Sequence, residues 1–218
     1  MTDTTNTDRP FNQTLYWLWW IVATATGWYA AYWLGLLLSG LVLNMLQISP
    51  AALSGTEALP ESAQLPLLFL QLATLFVIGL AIGIGQWLVL RPQVPQISRW
   101  PLFTALGGVV ALFAGPYLFL LIGLGMSLLQ WLILRNVLNR AGWWIITSTG
   151  AWALGYVLGS MFSQVLAQAM DAAAAGMIGY IAVGIISGAL SGAALLWLLR
   201  ENRVLLDGLR AEAEQAKR

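Results

Sequence analysis

Long apolar stretches separated by short polar segments run through almost the whole chain. A stretch of about twenty apolar residues can cross the roughly 30 Å hydrocarbon core of a bilayer as one helix. The pattern therefore predicts an all-α, polytopic membrane protein with six transmembrane helices. The predicted spans are about 15–43, 67–90, 100–115, 116–134, 143–166 and 177–199. Pro66 is expected in the first turn of the second span, where its missing N–H removes no hydrogen bond.

The stretch 100–134 is ambiguous in this pattern, because it is too long for one perpendicular helix and short for two. Gly115-Pro116 lies near its middle, and such a pair can end one helix and start another. Dividing the stretch there places all ten Lys and Arg residues on one side of the membrane. The charged residues on the opposite side are then all acidic: Glu57, Glu61 and Asp171. Because basic residues accumulate on the cytoplasmic side, both termini are predicted to be cytoplasmic.

The sequence also predicts internal repetition. The segment Gln86-Trp-Leu-Val-Leu-Arg91 recurs 44 residues later as Gln130-Trp-Leu-Ile-Leu-Arg135. Trp20, Trp100 and Trp144 correspond in the same way at the start of the odd-numbered spans. The chain is thus expected to contain three tandem two-helix repeats, at about 15–91, 100–135 and 143–200. Each repeat has an even number of spans, so all three cross in the same sense, which predicts an approximate three-fold axis along the membrane normal.

Polar segments flank this transmembrane domain, which is expected to cover 15–200. The segment 1–14 is predicted to be a disordered cytoplasmic tail. The segment 201–218 is predicted to be a cytoplasmic helical tail that extends the last span into water.

Small residues recur every four positions within the spans, as in a glycine zipper. Gly79 and Gly83 form one such pair, and Gly184, Gly188 and Gly192 form a longer row. Small residues on one helix face let two backbones approach closely, which drives helix association in a solvent as apolar as leucine. Helix packing is the favoured role of these glycines, and a hinge or a pore-lining backbone is the alternative.

The composition excludes several classes of function. With 59% hydrophobic and 9% charged residues, the chain lacks the polar surface of a soluble globule, in which about a quarter of residues are charged. Absence of Cys and His removes thiol nucleophiles and the commonest metal ligands. Ten basic residues and a net charge of +1 provide no surface for nucleic acid. No catalytic residue, metal or cofactor is predicted.

Polar side chains near the predicted outer ends of the spans form one candidate site. These residues are Asn44, Gln71, Gln164 and Gln168, and they could line an outward-facing polar vestibule. Helix capping and wetting of the interface explain the same residues. No Asp, Glu, Lys or Arg lies deep in a span, which weighs against proton-driven transport.

The repeated helix ends form a second candidate site, which would contact lipid or a partner. Its residues are Gln86, Trp87, Arg91, Gln130, Trp131 and Arg135. The glutamines are expected to hydrogen-bond to neighbouring helices, with a ligand contact as the alternative. Tryptophans at span ends are assigned to the interfacial belt. The arginines are expected to anchor the helix C-termini, with binding of an anionic lipid as the alternative.

The repeated segment Gln86–Arg91, followed by Trp100 and a glycine-spaced apolar run, resembles a group of uncharacterised multipass membrane proteins from cyanobacteria and filamentous phototrophic bacteria. The resemblance covers about 79–159 and implies membrane residence and internal repeats, but no activity. Three two-helix repeats also resemble mitochondrial carriers in layout, although the acidic and basic signature of that family after the odd helices is missing here.

These observations lead to a first hypothesis of a non-enzymatic accessory or assembly subunit. Its partners would be the lipid bilayer and other membrane proteins, in a bacterial plasma membrane or a thylakoid membrane. The alternative is a passive channel or transporter for a small, weakly polar solute. A lipid-modifying enzyme ranks third, because acid–base groups are scarce.

Overall fold

The computed structural model describes residues 12–46, 48, 61–94, 97–110, 112 and 118–215. Throughout these residues the chain is helical, without a strand. The helices are α1 (Gln13–Met45), α2 (Glu61–Leu90), α3 (Trp100–Val110), α4 (Leu118–Leu134), α5 (Gly142–Leu166), α6 (Ala172–Glu201) and α7 (Arg203–Gln215). Four of them, α1, α2, α5 and α6, are long and apolar enough to cross a membrane. The structure thus confirms an all-helical chain with candidate membrane spans.

The ambiguous stretch contains the two shorter apolar helices. α3 has 11 residues and α4 has 17, against about sixteen and nineteen in the sequence prediction. The proposed break at Gly115-Pro116 lies outside the described residues. The predicted tail 1–14 also lies mostly outside them, and its last two residues belong to α1.

α2 begins at Glu61, five residues before Pro66, so the prediction that Pro66 lies in the first turn is wrong. Hydropathy marks where apolar residues begin, whereas the polar residues 61–64 also form helix. An acidic residue in the first turn favours this start, because its charge complements the positive end of the helix dipole. Pro66 then removes one hydrogen bond, to the carbonyl of exposed Ser62.

The six apolar helices pack as a closed ring. Each of α1 to α6 contacts the next helix in chain order, and α6 returns to contact α1. Glycines lie where the helices approach most closely. A Cβ on Gly79 of α2 would lie 2.7 Å from the Cα of Ala105, and one on Gly184 of α6 would lie 2.5 Å from the Cα of Ala25. Larger residues at these positions would force the neighbouring helices apart.

The C-terminal tail does not continue α6, because the chain turns at Asn202. This side chain is buried, and its Oδ1 accepts a hydrogen bond of 2.7 Å from the backbone N–H of Asn139. Its Nδ2 donates to the carbonyls of Leu198 at 2.8 Å and Asn139 at 3.2 Å. One amide thus caps α6 and ties it to the turn between α4 and α5. The described part of the tail after Asn202 is helical, but it forms the separate helix α7.

Candidate functional site

Three tryptophans meet at the centre of the ring. Trp20 of α1, Trp100 of α3 and Trp144 of α5 have ring centroids 6.0 to 6.4 Å apart, so the three distances are nearly equal. All three side chains are at most 1% exposed. We call this cluster the tryptophan triangle. The two contacts of Trp20 are edge-to-face, with ring planes at 71° and 83°, and such geometry favours contact between the negative face of one ring and the positive edge of the next.

Two glutamines accept hydrogen bonds from the triangle. The indole N–H of Trp100 donates to Oε1 of Gln86 at 3.2 Å, and that of Trp144 donates to Oε1 of Gln130 at 3.0 Å. Both glutamines are 1% exposed. The amide carbonyls thus satisfy two indole groups that would otherwise be buried without a partner.

The amide nitrogens of the same glutamines reach hydroxyl groups on the odd-numbered helices. Nε2 of Gln130 donates to Oγ1 of Thr104 at 2.9 Å, and Nε2 of Gln86 approaches Oγ1 of Thr24 at 3.4 Å. The two amides also lie 3.4 Å apart, between Nε2 of Gln130 and Oε1 of Gln86. Five successive helices, α1 to α5, are thus linked by one buried polar network.

Helix α6 has no glutamine at the position that corresponds to Gln86 and Gln130. Leu195 of α6 stands 65 residues after Gln130, where the repeat alignment would place a third glutamine. The indole N–H of Trp20 donates instead to Oγ of Ser191, at 3.1 Å. Ser148 corresponds to Thr104 44 residues earlier. Its hydroxyl is buried and has no hydrogen-bond partner among the described residues. Position 195 has no amide that could bond to either group.

The repeated helix ends place an arginine over a tryptophan. The guanidinium carbon of Arg91 lies 5.0 Å from the ring centroid of Trp87, and that of Arg135 lies 5.1 Å from the centroid of Trp131. Both arginines are exposed, and both tryptophans are half-buried. A cation over an aromatic face is attracted by the ring quadrupole, so each arginine is held close to its own helix end.

A groove of about 890 Å³ runs between α1 and α2 on the outside of the ring. Small residues line much of it: Ala23, Thr26, Gly27, Ala30, Ala81 and Gly85. At the positions of α3 that lie 80 residues after Ala23, Thr26 and Ala30, the chain has Phe103, Leu106 and Val110. The α1/α2 pair thus has an apolar groove, and its side chains are smaller than those of α3 at these three positions.

The four candidate vestibule residues differ in their surroundings. Gln164 lines a pocket of about 280 Å³ between α5 and α6, together with Trp28, Ser160 and Tyr180. All four side chains are exposed, and Asn44, Gln71 and Gln168 do not line this pocket.

From the sequence alone, the triangle residues are assigned to the interfacial belt and their hydroxyl partners are not identified. A signal was available, since Trp20, Trp100 and Trp144 are related by the same shifts as the repeats. Corresponding residues of a closed ring can meet on its axis, whereas an interfacial belt would place them around the outside.

In the described part of the chain, no three Asp or Glu side chains come together as metal ligands. Comparisons with protein-family models, with curated proteins and with solved structures find no match to this chain.

Proposed function

We propose that this chain is an integral membrane protein of six spans, built from three tandem two-helix hairpins. Both termini would be cytoplasmic, with an approximate three-fold axis along the membrane normal. The closed ring and the nearly equal sides of the tryptophan triangle support this arrangement. The distribution of basic residues supports the orientation. A photosynthetic host, in a plasma or thylakoid membrane, follows from the resemblance of the repeated segment.

We further propose that the protein is a non-enzymatic accessory subunit that packs against a partner membrane protein. The observation that carries this proposal is that buried side chains fill the ring axis at the tryptophan triangle. A filled axis favours a rigid scaffold. Interaction surfaces are then expected on the outside of the ring, where the α1/α2 groove breaks the similarity of the hairpins.

The groove suits an apolar transmembrane helix of the partner. Its small residues permit close approach of a helix backbone, which is how helices associate where no hydrophobic driving force exists. Exposed apolar side chains such as Leu15, Trp19 and Leu88 also line the groove and extend the contact surface. Lipid chains would fill the groove in the absence of the partner.

This proposal is tested by filling the groove with a residue found in the second hairpin. Thr26→Leu introduces the side chain present at the corresponding position 106. We expect co-purification of the partner from native membranes to fall at least about tenfold, the equivalent of about 1.4 kcal/mol of binding energy. The matched control is Gly150→Leu, because position 150 corresponds to position 26 in α5 and a Cβ there would meet no heavy atom within 4 Å.

Two outcomes contradict the proposal. One is an unchanged set of co-purifying proteins in Thr26→Leu, and the other is an equal loss in Gly150→Leu. Circular dichroism of both variants separates loss of the partner from loss of the fold.

A passive facilitator for a small, weakly polar solute is the second candidate, and the pocket that Gln164 lines favours it. Solute flux into liposomes should then fall in Gln164→Leu. Gln71→Leu serves as the control, because Gln71 is exposed and lies outside that pocket. Equal flux in the wild type and Gln164→Leu would remove this candidate.

A further inference from the structure

Two arginines line one small pocket at the junction of α3 and α4. Arg99 precedes α3, Arg135 follows α4, and the pocket between them has a volume of about 300 Å³. Ser98 and Asn136 add polar groups to the same lining. We propose that this pocket binds the headgroup of an anionic phospholipid through its phosphate. The inference rests on the proposed membrane orientation, because it requires the basic end of the ring to lie at a lipid interface.

The charges of the pocket are complementary to a phosphate. Among the described residues, the ion pair within 4.0 Å is that of Arg140 with Glu201, so neither Arg99 nor Arg135 has a carboxylate partner there. Two guanidinium groups at the lining of one pocket supply the positive charge that a phosphate requires. Guanidinium groups suit this role, because their planar donors match phosphate oxygens in pairs.

One of the two cations is already oriented. The guanidinium of Arg135 lies 5.1 Å from the ring centroid of Trp131, whose side chain is half-buried. The aromatic contact reduces the freedom of a long side chain, so less entropy is lost when a ligand binds.

The apolar part of the lining indicates a lipid rather than a free phosphate. Phe103 of α3 and Leu132 and Ile133 of α4 line the pocket beside the polar groups. A phospholipid can place its phosphate at the arginines and the start of an acyl chain against these side chains. A free phosphate would leave the apolar residues without a partner.

The first hairpin lacks this combination, although it has a corresponding arginine. Arg91 lies over Trp87 just as Arg135 lies over Trp131. However, Trp19 occupies the position that corresponds to Arg99, and Pro92 occupies that of Asn136. Arg91 therefore has the same aromatic contact without a second cation from the adjacent odd-numbered helix.

The third hairpin is also unsuitable for an anion. Arg200 corresponds to Arg135, and its guanidinium donates a hydrogen bond to the side-chain oxygen of Gln13. Glu201 occupies the position of Asn136 and would repel a phosphate. The proposed site is therefore specific to the second hairpin.

The test is native mass spectrometry of the purified full-length protein in a neutral detergent. Phosphatidylglycerol is titrated, and phosphatidylcholine with the same acyl chains is the uncharged-headgroup comparison. Arg99→Gln and Arg135→Gln should each raise the Kd for phosphatidylglycerol about fivefold, the usual contribution of one cation near an anionic lipid surface. Arg91→Gln should change the Kd less than about twofold. It removes the same kind of aromatic contact but leaves both arginines of the pocket in place.

Each other outcome overturns the proposal. An equal effect of Arg91→Gln would mean that any basic residue at this interface attracts the lipid. Equal binding of phosphatidylcholine would exclude recognition of charge, and displacement by millimolar inorganic phosphate would identify a free-phosphate site. Arg135→Lys controls for folding, because it retains the cation but not the planar donors, so its Kd should lie between those of the wild type and Arg135→Gln. The measurement needs no partner protein, so its failure is distinguishable from failure of the proposed accessory role.

Discussion

The polar network around the tryptophan triangle differs between the hairpins that contain Gln86 and Gln130 and the hairpin that contains Leu195. Where a glutamine is present, its carbonyl accepts from an indole and its nitrogen reaches a threonine hydroxyl. Where leucine replaces it, Trp20 bonds to Ser191, and the hydroxyl of Ser148 has no hydrogen-bond partner in the described structure. The hairpin with leucine at this position thus differs in the hydrogen bonding of both the indole donor, Trp20, and the hydroxyl, Ser148.

This difference indicates that the triangle requires an acceptor for each indole but not an identical acceptor. A serine hydroxyl one turn before Leu195 replaces the amide carbonyl. The amide nitrogen has no such replacement, so the corresponding hydroxyl position is left unsatisfied. Leu195 is fully buried in the same core cluster as the triangle, and its packing offsets part of the lost hydrogen bonding.

The largest loss of stability is expected when Gln130 of the second hairpin is replaced by leucine, the residue at the corresponding position of the third hairpin. Gln130→Leu would leave the indole of Trp144 and the hydroxyl of Thr104 without their bonds of 3.0 and 2.9 Å. Interhelical hydrogen bonds in membranes contribute about 0.6 kcal/mol on average and up to about 1.7 kcal/mol. We expect the free energy of unfolding in mixed micelles to fall by about 2 kcal/mol, measured by circular dichroism. Gln86→Leu should cost about half as much, because its contact with Thr24 is longer, at 3.4 Å. Equal losses in the two variants would contradict this order.

A smaller effect is expected from removing single indole N–H groups. Trp100→Phe leaves the side-chain carbonyl of Gln86 with its longer contact to Gln130, at 3.4 Å. Trp20→Phe removes the indole N–H that donates to the hydroxyl of Ser191. A serine hydroxyl in a helix can still donate to the carbonyl one turn earlier, so it keeps one hydrogen bond after the indole is removed. Both changes remove a similar aromatic volume, and their difference isolates the hydrogen bond. Trp100→Phe should lower the free energy of unfolding by about 1 kcal/mol more than Trp20→Phe. A larger loss in Trp20→Phe would contradict the role of Ser191.

The sequence predicted the helical class and the approximate helix positions, because apolar stretches of this length in lipid must satisfy their backbone within a helix. It did not predict the start of α2, which depends on residues 61–64, whose helix-forming ability hydropathy does not measure. It also assigned Trp20, Trp100 and Trp144 to the membrane interface. A tryptophan at a helix end has the same local sequence whether it contacts headgroups or the ring axis. Its position became clear only when the closure of the ring was known.

For the candidate polar residues too, the local sequence predicts the kind of contact, whereas the packing of the helices decides the partner. Gln86 and Gln130 were expected to bond to neighbouring helices, because an amide buried in an apolar span needs a partner. Which partners they contact depends on the rotation of the adjacent helices. The absent hydrogen-bond partner of Ser148 could not be predicted, because it depends on which side chains the neighbouring helices bring to its hydroxyl.

Introducing an amide at position 195 should change the free energy of unfolding only modestly. Leu195→Gln would bring an acceptor to Trp20 and a donor to Ser148, so we expect a change within about 1 kcal/mol in either direction. Leu75→Gln is the control, because Leu75 is also buried in a cluster of apolar side chains. That variant should lose at least about 2 kcal/mol, the cost of an unpaired polar group. Similar losses in the two glutamine variants would mean that position 195 does not correspond to the two natural glutamines.

The smallest effect is expected at the unsatisfied hydroxyl itself. Ser148→Ala removes a buried group that has no hydrogen-bond partner among the described residues, so the protein loses no bond and avoids a desolvation cost. We expect the free energy of unfolding to stay within about 0.5 kcal/mol of the wild type or to rise slightly. In the Leu195→Gln background the same change should become unfavourable by about 1 kcal/mol, because the introduced amide would lose its acceptor. This change of sign is a coupling between two helices that a solvent-exposed serine would not produce. A Ser148→Ala effect that is the same in both backgrounds would contradict the proposed correspondence of the three hairpins at this position.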